Sequence, residues 1–239
     1  MRDRHKKQPV QLNNDDLMTA IEKNTPNSRS LVTNRPDGQQ VKVNIPVKIR
    51  RIPVAWGFPL DEIIFTKWFV NLMGLPIMPW DPIMTAQSTY LPDARNIIHS
   101  NFVNEEKVDW LLMLDSDVCP PPNFLEKLMS HKLPIVGGWY RKKGGENPPV
   151  VYDYHGIGED GKMQWQVRQT PGKGLEKVDG AGAGCWLLHR KVAEAVGEKP
   201  YDMLRGGEDL DFCMKVKKAG FDIYVDWDIA CAHAGVSFV

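Results

Sequence analysis

The apolar positions of this chain change rhythm along its length. Trp110 to Leu114 is an unbroken apolar run between Asp109 and Asp115, which predicts a strand buried on both faces, as in a parallel sheet covered by helices. Leu133 to Trp139 and Asp222 to Val225 predict further strands, and Val178 to Leu188 returns to strand character through a glycine-rich start. Ile45 to Trp56 is β-rich, with prolines that suggest an irregular end, and Gly57-Phe58-Pro59 predicts a turn. Helical spacing alternates with these strands. Asp61 to Met73 places Ile64, Phe65, Trp68, Phe69, Leu72 and Met73 on one face, and Asp93 to Val103 does so with Ala94, Ile97, Ile98 and Phe102. Shorter helices are predicted from Asn123 to His131, after Pro120-Pro121-Pro122, near Lys191–Val196, and from Glu208 to Ala219. Residues 74–90 predict a loop with one short strand. This alternation implies an α/β fold with a largely parallel sheet.

Two stretches break the pattern. Tyr140 to Lys177 is rich in glycine, proline and charge, with β-like pieces at Pro149–Tyr154 and Met163–Arg168 around a Gly158–Gly161 turn, and predicts a hairpin excursion or flap. Residues 1–44 are polar and predict an arm, with Leu17, Met18 and Ile21 on one face of a short amphipathic stretch from Asp15 to Lys23. The expected organisation is therefore an arm at 1–44 and one domain at 45–239 carrying a flap at 140–177.

Composition adds little to this picture, but charge adds something. With 239 residues, 42% hydrophobic and 25% charged, the chain suits one substantial domain. Formal net charge is zero, yet residues 1–51 hold eleven Lys/Arg against five Asp/Glu while the rest holds nineteen against twenty-five. A basic arm suits a polyanion such as nucleic acid, and equally a solvated tail. No apolar run is long enough to cross a membrane and no signal-peptide core is evident, so a cytoplasmic protein is expected, with a virus-encoded one acting in a host cytoplasm also open. Cys119, Cys185, Cys213 and Cys231 lack CxxC spacing and read as reduced core residues.

Four features stand outside core periodicity: the Asp115/Asp117 pair, the glycines at 180–184, Glu208-Asp209 with Asp211, and His233. Buried strands do not normally end in two carboxylates, which repel each other unless a cation or strong donors lie between them. A cation-bound diphosphate and a polar turn leading into the next helix both account for the pair. The glycine run precedes a strand instead of a helix, so it is a weak dinucleotide signal; a backbone that must approach a ligand closely and a flexible turn both account for it. Glu208-Asp209 also suits a helix N-terminus through dipole effects, with Asp211 expected to face solvent.

The order of Asp115-Ser116-Asp117 after an apolar strand, the glycine-rich return strand, Gly207-Glu208-Asp209 opening a helix, and the late His233 resembles the GT-A glycosyltransferases, most closely the family 2-like type of bacteria and phages. Ile52-Pro53, Ala94-Arg95-Asn96 and Trp139-Tyr140-Arg141 are further similar pieces, and the resemblance spans roughly residues 46–235. It implies a single GT-A (Rossmann-like) domain and metal-dependent transfer of a sugar from a nucleotide-sugar, UDP- or GDP-linked, to an unknown acceptor such as a glycan or modified DNA. Asp117 would bind Mn²⁺ or Mg²⁺ directly, His233 would be a further metal or diphosphate ligand, and Asp115, also counted with the metal residues, would lie near the ribose or base. Pro53 and Arg95 would line the nucleotide pocket with Ser116. Arg141, with Lys142 and Lys143, would touch the diphosphate, and Gly182 would border the donor sugar. Asp209, ahead of Glu208, would face the acceptor as base. A nucleotidyltransferase and a non-catalytic nucleotide-sugar or nucleic-acid binding module are the alternatives. The first normally carries a basic glycine-rich loop after its first strand, where this chain has Pro53 to Pro59 without Lys or Arg. The sequence leaves an oligomer open.

Overall fold

The structure, a computed structural model, describes residues 28–34, 40–46, 52–87, 90–104, 106–143, 147–159, 161–203 and 207–234. The amphipathic stretch Asp15–Lys23 lies outside them. The chain divides into two units, Leu12–Ile52 and the remainder. In the first, strand β1 (Ser28–Asn34) pairs antiparallel with β2 (Gln40–Pro46) in continuous register from Ser28↔Pro46 to Asn34↔Gln40.

The second unit opens with β3 (Ala55–Leu60), α1 (Thr66–Met73), β4 (Ile83–Gln87), α2 (Leu91–Asn104), β5 (Trp110–Leu114), β6 (Val118–Cys119), α3 (Phe124–Ser130) and β7 (Ile135–Trp139). It continues with β8 (Val151–Ile157), β9 (Met163–Val167), β10 (Leu175–Val178), β11 (Gly180–Ala181), β12 (Cys185–His189), α4 (Arg190–Val196), α5 (Glu208–Lys218), β13 (Ile223–Ala230) and β14 (Ala232–His233). Seven strands form one sheet in the order β10-β13-β7-β12-β5-β3-β4. Five share a direction, and β10 and β12 run against them. The sheet is thus mainly parallel and flanked by helices, as the alternation predicts. Its middle is the apolar run: all five residues of β5 and of β12 are buried. The 140–177 stretch is a hairpin of β8 and β9 completed by β11, and β10 returns to the edge of the main sheet.

Several local expectations need correction. Helix α1 begins at Thr66, not Asp61, because Gly57-Phe58-Pro59 does not turn but continues β3 beside β4. Beyond Gly57 only β4 flanks this strand, and proline is tolerated at such edge positions. Of the apolar α1 face only Trp68 is buried, and Phe69 and Met73 are exposed. On α2 the buried stripe is Ala94, Arg95, Ile98, His99 and Phe102, while Ile97 is 47% exposed. Asp211 is buried instead of facing solvent.

Helix α5 starts where Gly207 has φ +120°, a conformation that L side chains rarely adopt. Three acids, Glu208, Asp209 and Asp211, follow in its first turn and three lysines lie in its last, matching the helix dipole at both ends. No helix among the described residues is long and apolar enough to cross a membrane.

Candidate functional site

The site grows from the carboxyl end of β5. The Asp115 amide donates to Gly184 O at 3.0 Å, and Val118 N donates back to Asp115 O at 3.1 Å, closing Asp115-Ser116-Asp117 into a tight turn. Ser116 is buried and its Oγ accepts from Asp61 N at 3.4 Å. The turn continues as β6, which pairs with β14 in the register His233↔Val118. Ala234 N donates to Asp117 O at 2.6 Å. This short ladder, built from residues more than a hundred positions apart, carries His233 to Asp117.

The two side chains of the Asp pair face different partners. Asp117 Oδ2 lies 2.6 Å from Lys143 Nζ and 3.4 Å from His233 Nε2. His233 Nδ1 contacts the Arg141 carbonyl at 2.8 Å. A carbonyl only accepts, so Nδ1 carries the proton and Nε2 faces the carboxylate. Burial pushes the Asp117 carboxyl up, but His233 and Lys143 outweigh it and hold the pKa below the ordinary value. Burial likewise lowers His233, and Asp117 with the Arg141 carbonyl more than offsets this, raising it.

Asp115 turns the other way, toward the buried Arg95 of α2. The Arg95 guanidinium gathers three carboxylates: Asp115 Oδ2 at 2.7 Å, Glu208 Oε1 at 2.9 Å and Asp209 Oδ1 at 2.5 Å. The Tyr201 ring lies 5.7 Å from the guanidinium carbon. Asn96, the next residue, fixes that loop by accepting from Tyr201 N at 3.0 Å and donating to its carbonyl at 2.7 Å. Burial raises the Asp115 pKa despite Arg95. Burial also raises Asp209, to about 6; Arg95 and the Ala183 amide pull it down, and Glu208 and Asp115 push it up.

The glycine run meets a side chain. Gly184 N donates to Tyr140 Oη at 3.2 Å, and a Cβ at Gly182 would stand 2.4 Å from that oxygen. The group that crowds this backbone is thus a side chain of the protein, Tyr140, where the sequence suggested a ligand; its ring lies 5.1 Å from that of His233.

Of the residues singled out in the sequence, Arg95, Asp115, Glu208 and Asp209 meet in one cluster, and Asp117 and His233 in an adjoining pair. The Arg141 guanidinium points elsewhere, donating to Asn147 O at 2.7 Å beside the Trp139 ring. Pro53 is set apart. Ala55 is level with Leu111 in the parallel register, so Pro53 lies at the amino end of the sheet and Asp115 at the carboxyl end. At a rise of about 3.3 Å per residue, this separates them by roughly 20 Å. Tyr201 and the Lys143 contact with Asp117 were not foreseen. Tyr201 had no motif to mark it, and Lys143 was hidden in a basic run that ordinarily means a solvated face. Among the described residues, no three His, Cys, Asp or Glu side chains converge as a metal cluster.

A mainly parallel seven-stranded sheet flanked by helices, with its acidic turn at the carboxyl end of the buried strand β5, is consistent with a GT-A-like α/β fold. No family model and no curated protein matches the chain. Among solved structures it is similar to A197 from STIV, with a TM-score of 0.58 and 17% identity over 77% of this chain and 87% of that one. GalNAc-T7, crystallised with UDP, GalNAc and Mn²⁺, overlaps with a TM-score of 0.47 and 13% identity; 77% of this chain is covered, and 44% of that one. The likeness to A197 is one of fold.

Proposed function

We propose that this chain is a metal-dependent glycosyltransferase, moving a sugar from a nucleoside-diphosphate sugar to an acceptor hydroxyl. The observation that carries the reading is the approach of His233 Nε2 to Asp117 Oδ2 at 3.4 Å while Nδ1 is committed to a carbonyl. In the free protein a proton on Nε2, favoured by the raised His233 pKa, bridges the two atoms, and a divalent ion would take that proton's place between the same imidazole nitrogen and carboxylate oxygen. One carboxylate oxygen and one imidazole nitrogen suit Mn²⁺ better than Mg²⁺, and two protein ligands leave positions for diphosphate oxygens and water. The ion would neutralise charge on the departing nucleoside diphosphate.

The chain's own residues supply the rest. Asp115 Oδ1 is buried with no hydrogen-bond partner among the described residues, which supports a role accepting a hydrogen bond from a ribose hydroxyl or base N–H. Arg95 holds Asp115 on the donor side and Asp209 on the acceptor side. Asp209, ionised at neutral pH with its pKa near 6, takes the acceptor hydroxyl proton as the oxygen attacks the anomeric carbon. Glu208, on the same guanidinium, is the second candidate.

The test is a panel of UDP-, GDP- and dTDP-sugars with Mn²⁺. Release of nucleoside diphosphate supports transfer or hydrolysis of the sugar. Release of pyrophosphate makes the chain a nucleotidyltransferase. No donor binding by calorimetry across the panel overturns both.

A further inference from the structure

We propose that Lys143 is a built-in counter-cation of the metal site: it neutralises Asp117 until a divalent ion binds, and then passes to the donor diphosphate. This rests on the metal reading of the Asp117–His233 pair and adds a coupling between the two ligands of that site. The Lys143 ammonium contacts Asp117 Oδ2 at 2.6 Å, the same oxygen that faces His233. The neighbouring cations are engaged elsewhere. The Arg141 guanidinium donates to Asn147 O, and Lys142 Nζ lies 6.0 Å from the Tyr152 ring centre. Of the three, Lys143 alone faces the acidic turn, over the Phe65 ring at 5.5 Å.

The pair is placed to exchange. Lys143 is 51% exposed and Asp117 23%, so solvent screens the contact and it is weak. A divalent ion on that oxygen would put three positive charges around one carboxylate, and like charges at contact distance repel. Relief comes from the arrival of a diphosphate, which can take both the ion and the displaced ammonium. The expected consequence is synergy: the free protein binds metal weakly, and nucleoside diphosphate and metal each tighten the other.

The experiment is calorimetric titration of Mn²⁺ into the full chain, with and without UDP and GDP, for the parent and for Lys143→Ala, Lys143→Arg and Asp117→Asn. Lys143→Ala is expected to tighten Mn²⁺ binding to the free protein by about fivefold, the scale of one exposed ion pair, and to reduce the factor by which nucleotide enhances it. Lys143→Arg is expected to stay near the parent, and Asp117→Asn to lose Mn²⁺ binding. Equal Mn²⁺ affinity in the parent and Lys143→Ala overturns the Lys143 role and leaves the metal site standing. No Mn²⁺ binding in either protein, with or without nucleotide, overturns the metal reading and this proposal together.

Discussion

Asp209 carries its charge where burial opposes it, and that sets a measurable pH limb. A base must be ionised to accept a proton, so kcat/KM for sugar transfer is expected to fall below a midpoint near pH 6, following the raised pKa. Asp209→Asn is expected to lower kcat by roughly a hundredfold or more while donor affinity stays within a few-fold. A variant that retains full turnover passes the role to Glu208. Asp117 gives a cleaner separation, since its substitution touches the donor end alone: Asp117→Ala is expected to abolish Mn²⁺-dependent donor binding in calorimetry, and unchanged affinity removes the metal assignment. Arg95 is the residue on which both ends depend. Removing it leaves three inward-turned carboxylates without their cation, a loss on the order of 3–5 kcal/mol in urea unfolding of Arg95→Ala. The deficit is expected to shrink at pH 5 relative to pH 8, because protonation relieves Asp115 and Asp209, whose pKa values burial already raises. An equal deficit at both pH values contradicts the electrostatic account.

Among the elements, the return strand into β12 shows how a motif can be visible and its cause hidden. The glycines at 180, 182 and 184 marked a backbone approached closely, but nothing near them in sequence pointed to Tyr140, the residue that approaches. Gly182→Ala would place a Cβ 2.4 Å from Tyr140 Oη and 2.8 Å from Val150 Cγ1. A stability loss of about 1–3 kcal/mol is expected, part of it recovered by adding Tyr140→Phe; additive losses in that cycle argue against the contact. Strands β5, β7 and β12 were legible because an apolar run reports burial on both faces locally. On α2 the apolar part of the buried stripe, Ala94, Ile98 and Phe102, was legible in the same way, but Arg95 and His99 were not, because they look solvent-facing until their partners are known. One of those partners, Glu208, is 113 positions away. The start of α1 was misplaced for a related reason: Pro59 reads as a turn until the edge-like position of the carboxyl end of β3 is known. The acidic turn, the α5 start and the late histidine were legible as separate signals, but only the β6–β14 pairing and Arg95 bring them into two adjoining groups.

Across the whole molecule, the helix that carries Arg95 is fastened one turn further along by a second buried polar group, and this makes acid stability a property of the fold. His99 of α2 is fully buried, with Nε2 donating to Ala193 O at 3.1 Å and Gly197 O at 3.0 Å, which ties α2 to α4. Its Nδ1 is buried with no hydrogen-bond partner among the described residues, so a second proton there would be poorly solvated. Burial, only partly offset by those carbonyls, lowers its pKa to about 4. His189, whose Nδ1 accepts from Lys191 N at the start of α4, is lowered by burial to about 4 as well. In each case the unfolded chain takes up the proton near pH 6.5, before the folded one does. Stability is therefore fully present above that value and is lost as pH falls toward 4. Asp209 acts with the opposite sign, since its raised pKa favours the folded state as pH drops through 6 toward the ordinary 3.8. For His99 the loss approaches roughly 3 kcal/mol at full extent; Asp209 returns about as much, and His189 adds a second loss on the same window, so net destabilisation between pH 6.5 and 4 is expected. Urea unfolding of the full chain at pH 7.5 and pH 5 measures it. His99→Gln is expected to be less stable than the parent at pH 7.5 yet to lose less on acidification, because the buried imidazole whose protonation opposes folding in this window is gone. If the variant keeps the parent's pH slope, the acid sensitivity lies elsewhere and α2 is not fastened through His99.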